Sequence, residues 1–225
     1  MRSAALPIFM IAVSLLAVSP IGCGGGLRAK FLAYDEEVKK TPKQDKAAMD
    51  KLVVELVDAT KADPKEVIRL YRTDPDVRVR STCATFLWLS DIKEAAPELE
   101  QGAKSDPDVR VSTMSLDALA QLVHSFPNDT EVARAAISTA QYDLSRAKPA
   151  GYLFDAEISA QLKESECIAP LAAALPDDKP ALWTAGIRAI AAVGGKDAGK
   201  ALADLRKRTK DPARQALLDR LAISH

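Results

Sequence analysis

DPDVRVR at residues 74–80 recurs as DPDVRVS at residues 106–112, a spacing of 32 residues. A fixed period of this length is typical of stacked supersecondary units, none of which buries its apolar face alone. A weaker echo, Pro180-Ala181 and Pro212-Ala213, keeps the same spacing. The repeat therefore predicts an array of similar units within one domain.

The sequence after each copy predicts a pair of helices. Residues 77–89 carry apolar side chains at helical spacing, Ser90 and Asp91 interrupt the pattern, and residues 95–103 form a shorter second helix. Pro97 falls near the start of this second helix, where a missing N–H costs nothing. In each Asp-Pro-Asp, we expect the first Asp to cap the long helix and the Pro to occupy its first turn.

These motifs resemble HEAT-like repeats, specifically the short-period variety named after the phycobilisome lyases. The resemblance covers roughly residues 43–225 and is strongest at residues 74–123 and 178–224, whereas residues 124–178 lose the 32-residue register. It implies an all-α fold, an α-solenoid of stacked antiparallel helix pairs over residues 44–225. The middle segment then holds one lengthened or irregular unit.

Residues 1–22 have the pattern of an export signal, with Arg2 before an apolar run that is short for a transmembrane helix. The run ends in Ile21-Gly22-Cys23 and resembles a bacterial lipoprotein signal, from which it departs at Pro20. The resemblance implies that Cys23 becomes the first mature residue and carries lipid. Residues 23–43 would then contain a glycine tether and a short helix or linker that covers the first repeat.

Lipidation at Cys23 predicts an exported protein, anchored in the bacterial cell envelope and facing the periplasm or the cell exterior. The alternative is an incidental cysteine after an ordinary signal peptide. Of the remaining cysteines, Cys83 and Cys167 belong to units too far apart in a stack for a disulfide, so we expect both to be buried as small apolar residues.

Motifs of catalysis or of metal and nucleic-acid binding are weak or missing. GGKDAGK at residues 194–200 has the glycine and lysine spacing of a phosphate loop, but Ala201 replaces the required Ser or Thr, and an inter-helix turn explains it. The two histidines, His124 and His225, belong to no metal-ligand pattern. Basic residues 206–210 lack interleaved aromatics. We expect no cofactor, no metal and no nucleic acid.

Formal charge is zero overall but is unevenly distributed. Basic and acidic residues number 14 and 11 over residues 1–90, 7 and 14 over residues 91–175, and 10 and 6 over residues 176–225. The acidic middle suits a basic partner, although charged residues mostly solvate exposed helix faces. Near it lies an aromatic, turn-forming insertion at residues 148–154. Tyr152 and Phe154 are either partner anchors or side chains packed over the end of a groove.

Three functional hypotheses remain. The favoured one is a non-catalytic envelope lipoprotein that acts as a scaffold or adaptor, because repeat stacks present extended concave surfaces to other proteins. We expect the groove residues to come mainly from the shorter second helices. A lyase-like solenoid that holds a small molecule is the enzyme-class alternative, and a purely structural envelope protein is the third. A shallow charged groove favours a protein partner, and a deep apolar pocket favours a small ligand.

Overall fold

The structure is a computed structural model that describes residues 26–40, 45–146 and 149–222. Twelve α-helices and two short 3₁₀ turns make up the fold of these ranges, which contain no strand. The helices are α1 Leu27–Lys39, α2 Lys46–Ala62, α3 Pro64–Thr73, α4 Val77–Leu89, α5 Ala96–Ser105, α6 Val109–Ser125, α7 Thr130–Leu144, α8 Tyr152–Leu162, α9 Ile168–Ala173, α10 Pro180–Val193, α11 Gly195–Arg208 and α12 Pro212–Ala222.

From α2 onward the helices form two layers. Helices α2, α4, α6, α8, α10 and α12 each pack on the next member of this set, which we call the even layer. Helices α3, α5, α7, α9 and α11 do the same and form the odd layer. Successive helices from α2 onward pack across the two layers, except α4 and α5, which both pack on the 3₁₀ turn between them. The fold is therefore an all-α solenoid of stacked antiparallel helix pairs, as the sequence predicts.

The Asp-Pro-Asp motif starts the even helices in a different way from the one expected. The second Asp is the N-cap: Asp76 accepts the N–H of Arg78 at 2.9 Å, and Asp108 accepts the N–H of Arg110 at 2.8 Å. The first Asp ends the preceding odd helix in an extended conformation, since a residue before proline avoids the helical region. Proline therefore lies outside the helix, and the expected capping role of the first Asp is wrong.

The first Asp of each motif instead ties neighbouring units together. Arg80 donates from Nε to Asp106 at 2.9 Å and from a terminal nitrogen at 3.0 Å, while its other nitrogen bonds the carbonyl of Asp74 at 2.9 Å. Arg28 of α1 makes the equivalent contact with Asp74 at 2.7 Å. In both contacts the arginine donates through two nitrogens to one carboxylate. Such an arrangement fixes the relative orientation of the two side chains in addition to pairing their charges. The motif therefore sets the stacking register of the first units.

Helix α1 covers the start of the array. It packs on α2 and α4, and Phe31 has no exposed surface. A helix therefore stands where the sequence predicts a short helix or linker, and its core is continuous with that of the repeats up to α8. The predicted export signal and Cys23 lie outside the described residues.

The middle of the chain is irregular, as its lost register predicts. Helix α9 has six residues, and a 3₁₀ turn replaces its first part. A second core cluster begins here and runs to α12. The turn predicted at residues 148–154 is shorter than expected, because α8 already begins at Tyr152. Cys83 and Cys167 are buried and unpaired, as expected.

Candidate docking surfaces on the even layer

The outer face of the even layer, opposite the odd layer, is occupied by α1 in the first units. Tyr34 packs edge-on against Phe86 with ring centroids 4.9 Å apart, and Phe31 lies 5.8 Å from the same ring. Phe86 is the tenth residue of α4, and none of its surface is exposed. A helix therefore seals this part of the face through aromatic contacts.

Ion pairs between α1 and the second residues of α4 and α6 add to this contact. Arg78 bonds Glu36 at 2.8 Å, and Arg110 bonds the buried carboxylate of Asp35, which also pairs with Lys39 at 2.8 Å. Burial alone would raise the pKa of Asp35, but the hydrogen bonds from Lys39 and Arg110 outweigh it and lower that pKa. The face thus accepts a helix that carries aromatic and acidic residues.

The same outer face is open at α8 and α10. A shallow groove of about 310 Å³ runs between these helices, and its lining consists of alanines with Leu153, Glu157 and Arg188. Helix positions show that the two regions correspond. Ala189, the tenth residue of α10, stands where α4 has Phe86, and Leu153, the second residue of α8, stands where α4 has Arg78. Leu153 is 47% exposed.

The structure separates the two aromatic residues that the sequence singles out. Tyr152 is buried and its hydroxyl donates to the carbonyl of Leu171 at 3.0 Å. It passes so close to α10 that a Cβ on Gly186 would lie 2.1 Å from the hydroxyl oxygen. Phe154 is half-buried against the core of the first units. These positions favour the packing interpretation for Tyr152, and partner binding by Phe154 stays a prediction.

Leu153, between these two aromatics, is the residue that the sequence did not single out. Its exposure follows from the helical start of α8, which turns Tyr152 inward and its neighbour outward. The signal available in the sequence was the alanine spacing of α8 and α10, with Ala156 and Ala160 on one helix and Ala185, Ala189 and Ala192 on the other. Small residues three or four positions apart leave a groove on a helix pair.

A buried pair of carboxyl groups lies beneath the start of α8. Asp143 accepts the N–H groups of Ala150 at 3.1 Å and Gly151 at 2.8 Å, and it pairs with Arg146 at 3.2 Å. Asp155 has no exposed surface, and neither of its carboxyl oxygens accepts a hydrogen bond. Burial raises the pKa of Asp155 to about 9, and the nearby Asp143 carboxylate adds to this effect. Asp155 is therefore protonated at neutral pH, and its O–H can donate to Asp143.

The structure also bears on the phosphate-loop pattern, on membrane-spanning helices and on metal sites. Gly194, with a positive φ of 78°, ends α10, and α11 begins at the next residue, so the phosphate-loop pattern is an inter-helix turn. Within the three described ranges, no helix is long and apolar enough to span a bilayer. Over the same residues, no group of three or more His, Cys, Asp or Glu side chains converges in a metal-binding arrangement.

Comparison with known proteins bears on the fold. No protein-family model matches the chain, and no curated protein matches it. The chain is similar to the crystal structure of an engineered protein, with a TM-score of 0.52 and 17% sequence identity over 85% of this chain and 95% of the other. At this identity the likeness concerns the backbone alone. It agrees with the all-α solenoid described above.

Proposed function

We propose that this protein is a non-catalytic scaffold of the bacterial cell envelope, anchored by lipid at Cys23, that holds a helix of a partner protein in the α8/α10 groove. The observation that carries the proposal is the position of this groove on the face that α1 occupies at the start of the array. One part of the face already holds a helix, and the other part is open.

The lining of the groove defines the partner helix. Its floor is alanine, so the complementary side chains are large and apolar, in the way that ridges of one helix fill the grooves of a pair. Leu153 adds exposed apolar surface at one end, and Glu157 and Arg188 place opposite charges on the rim. The groove is shallow and open to solvent, which favours a protein partner over an enclosed small molecule.

Site-specific photocrosslinking in intact cells tests the proposal. A photoreactive residue at position 185 inside the groove should capture one envelope protein, and the same residue at position 61 on α2 should not. Ala192→Glu places a charge on the groove at an exposed position and should abolish capture. Ala203→Glu makes the same change at an exposed position of α11 and should leave capture intact.

A Cys23→Ser variant tests the anchor separately. Loss of membrane association and of capture together supports an anchored scaffold. Capture at position 185 that is no stronger than at position 61 would contradict the docking role, and membrane association of Cys23→Ser equal to that of the parent would contradict lipid anchoring.

A further inference from the structure

The short helix α9 leaves a groove on the odd layer, on the opposite side of the molecule from the α8/α10 groove. The groove lies between α9 and α11 and has a volume of about 470 Å³. A second hollow of about 390 Å³ reaches from its end to α12, and the two share Ala172, Ala173 and Arg208. Helices α3, α5, α7 and α11 have 10 to 15 residues, and the six of α9 leave this space unfilled.

The floor of this groove is apolar and partly solvent-exposed. Ile168, Ala169, Ala172 and Ala201 line it, and of these Ala169 is exposed while Ile168 belongs to the core. Apolar surface of this kind gains free energy, about 25 cal/mol per Å², when another apolar face covers it. The shape and the floor therefore suit a helix more than a polar loop.

Charge is polarised along the groove. Glu166 and Asp197 line the end at which α11 begins, and Arg208 and Lys210 lie at the end where α11 finishes. Lys200 stands between them, three residues after Asp197 and four before Asp204, so acids of its own helix surround it. Asp177 and Asp211 also line the second hollow, but Arg208, Lys210 and Arg214 outnumber them, so the two ends of the groove carry opposite net charges.

Arg208 and Lys210, at the basic end, differ in ion pairing from the cations that flank them along the chain. Arg206 pairs with Asp219 at 2.8 Å, Lys207 pairs with Asp204 at 3.0 Å, and Arg214 pairs with Asp177 at 3.2 Å. Within the part of the chain that the structure describes, the side chains of Arg208 and Lys210 form no ion pair or hydrogen bond, and Arg208 interacts with Asp204 only at longer range. They lie at the mouth of the second hollow, whose wall includes the buried ring of Trp183.

We propose that the α9/α11 groove is a second docking site, for an amphipathic helix of another protein with acidic residues in its first turn and basic residues in its last. The acidic turn meets Arg208 and Lys210, and the basic turn meets Glu166 and Asp197. The bound helix therefore runs antiparallel to α11. This charge order also complements the helix dipole, which favours the helical form of such a segment.

The separation of the charges sets the length of the ligand. Asp197 and Arg208 are eleven residues apart on one helix, which corresponds to about 16 Å at 1.5 Å per residue. A docked helix of about three turns spans both ends. This site is distinct from the α8/α10 groove, so the inference goes beyond the proposed function.

Two stapled peptides and the full-length protein test the inference by fluorescence anisotropy. The forward peptide has glutamates in its first turn, leucines and alanines on one face and lysines in its last turn; the reversed peptide has the same composition with the charges exchanged. The forward peptide should bind at least about tenfold more tightly. Arg208→Glu should remove this preference, and Lys61→Glu on exposed α2 should preserve it.

Three results would overturn the inference. Equal affinity for the two peptides excludes charge-directed docking. Loss of binding in Ala192→Glu assigns the peptide to the α8/α10 groove. Binding to phosphatidylglycerol vesicles that depends on Arg208, without a preference between peptides, assigns the cations to a lipid surface. Ala169→Glu serves as a second variant, because this exposed alanine lies on the floor of the groove.

Discussion

The first and last units of this solenoid share a backbone arrangement but present different outer faces. At α4 and α6, arginines in the second helical position and a phenylalanine in the tenth hold α1 in place. At α8 and α10, the corresponding positions carry Leu153 and Ala189, and a groove remains. The side chains at these positions therefore distinguish the closed region from the region that is available to a partner.

The contacts made by the fourth residue of each even helix also differ from the first units to the middle of the chain. In α4 this residue is Arg80, which joins two units through Asp106. In α6 it is Ser112, which bonds the carbonyl of Ala103 at 2.6 Å. In α8 it is Asp155, a buried acid beside another acid. The arginine contact of α4 is thus already replaced in α6, within the regular repeat, and in the irregular middle a protonated carboxyl group stands at this position.

Removing the helix that closes the first units should have the largest effect on stability. Phe31→Ala deletes a fully buried ring and leaves a cavity against Phe86, so we expect a loss of about 3–5 kcal/mol in the free energy of unfolding. Denaturant titration of the chain without residues 1–22 measures it. Leu153→Ala, at an exposed apolar position of the open region, is the control and should change stability little. Equal losses in the two variants would contradict the closed-versus-open distinction.

The Asp155→Asn substitution tests whether the irregular middle of the chain holds a proton on the buried carboxyl group of Asp155. The folded protein holds a proton on Asp155, whose pKa is about 9, whereas the unfolded chain releases it near pH 4. Stability therefore falls as pH rises from about 4 to about 9, and a non-ionisable amide that still donates to Asp143 removes this cost. We expect the free energy of unfolding to rise by about 2–4 kcal/mol at pH 7.

The pH dependence of unfolding provides the decisive comparison for this variant. The difference between Asp155→Asn and the parent should grow from pH 5 to pH 8. Asp178→Asn, at an exposed position between α9 and α10, should follow the parent. A pH slope in Asp155→Asn as steep as that of the parent would show that another group carries the proton.

Breaking the Arg80–Asp106 contact between units should have a smaller effect on stability. Arg80→Gln removes a bidentate, largely buried pair with Asp106, with both side chains only 12–13% exposed, and we expect a loss of about 1.5–3 kcal/mol. Arg69→Gln removes an exposed pair with Glu66 on the same helix and should change little. Thermal unfolding of both variants checks this order. A loss in Arg69→Gln as large as in Arg80→Gln would argue against a stacking role for the repeated motif.

Local patterns determine the architecture of this chain to a large extent. The 32-residue spacing gives the helix pairs, and helical periodicity places α4 at the residues the structure has. Pro64, Pro180 and Pro212 each begin a helix because a missing N–H and a fixed φ suit the first turn. The sequence predicts the wrong aspartate of Asp-Pro-Asp as the cap, because the aspartates on the two sides of the proline have the same local chemistry and only the backbone geometry distinguishes them.

The sequence by itself determined the all-α repeat, the loss of register in the middle and the candidate export and lipidation signal, since each depends on neighbours along the chain. Only the tertiary structure decided that α1 covers α4, that Tyr152 is buried while Leu153 is exposed, and that Asp155 faces Asp143. Those outcomes depend on contacts between residues of different helices, and a residue type and its local spacing do not specify which side of a helix will meet a neighbour.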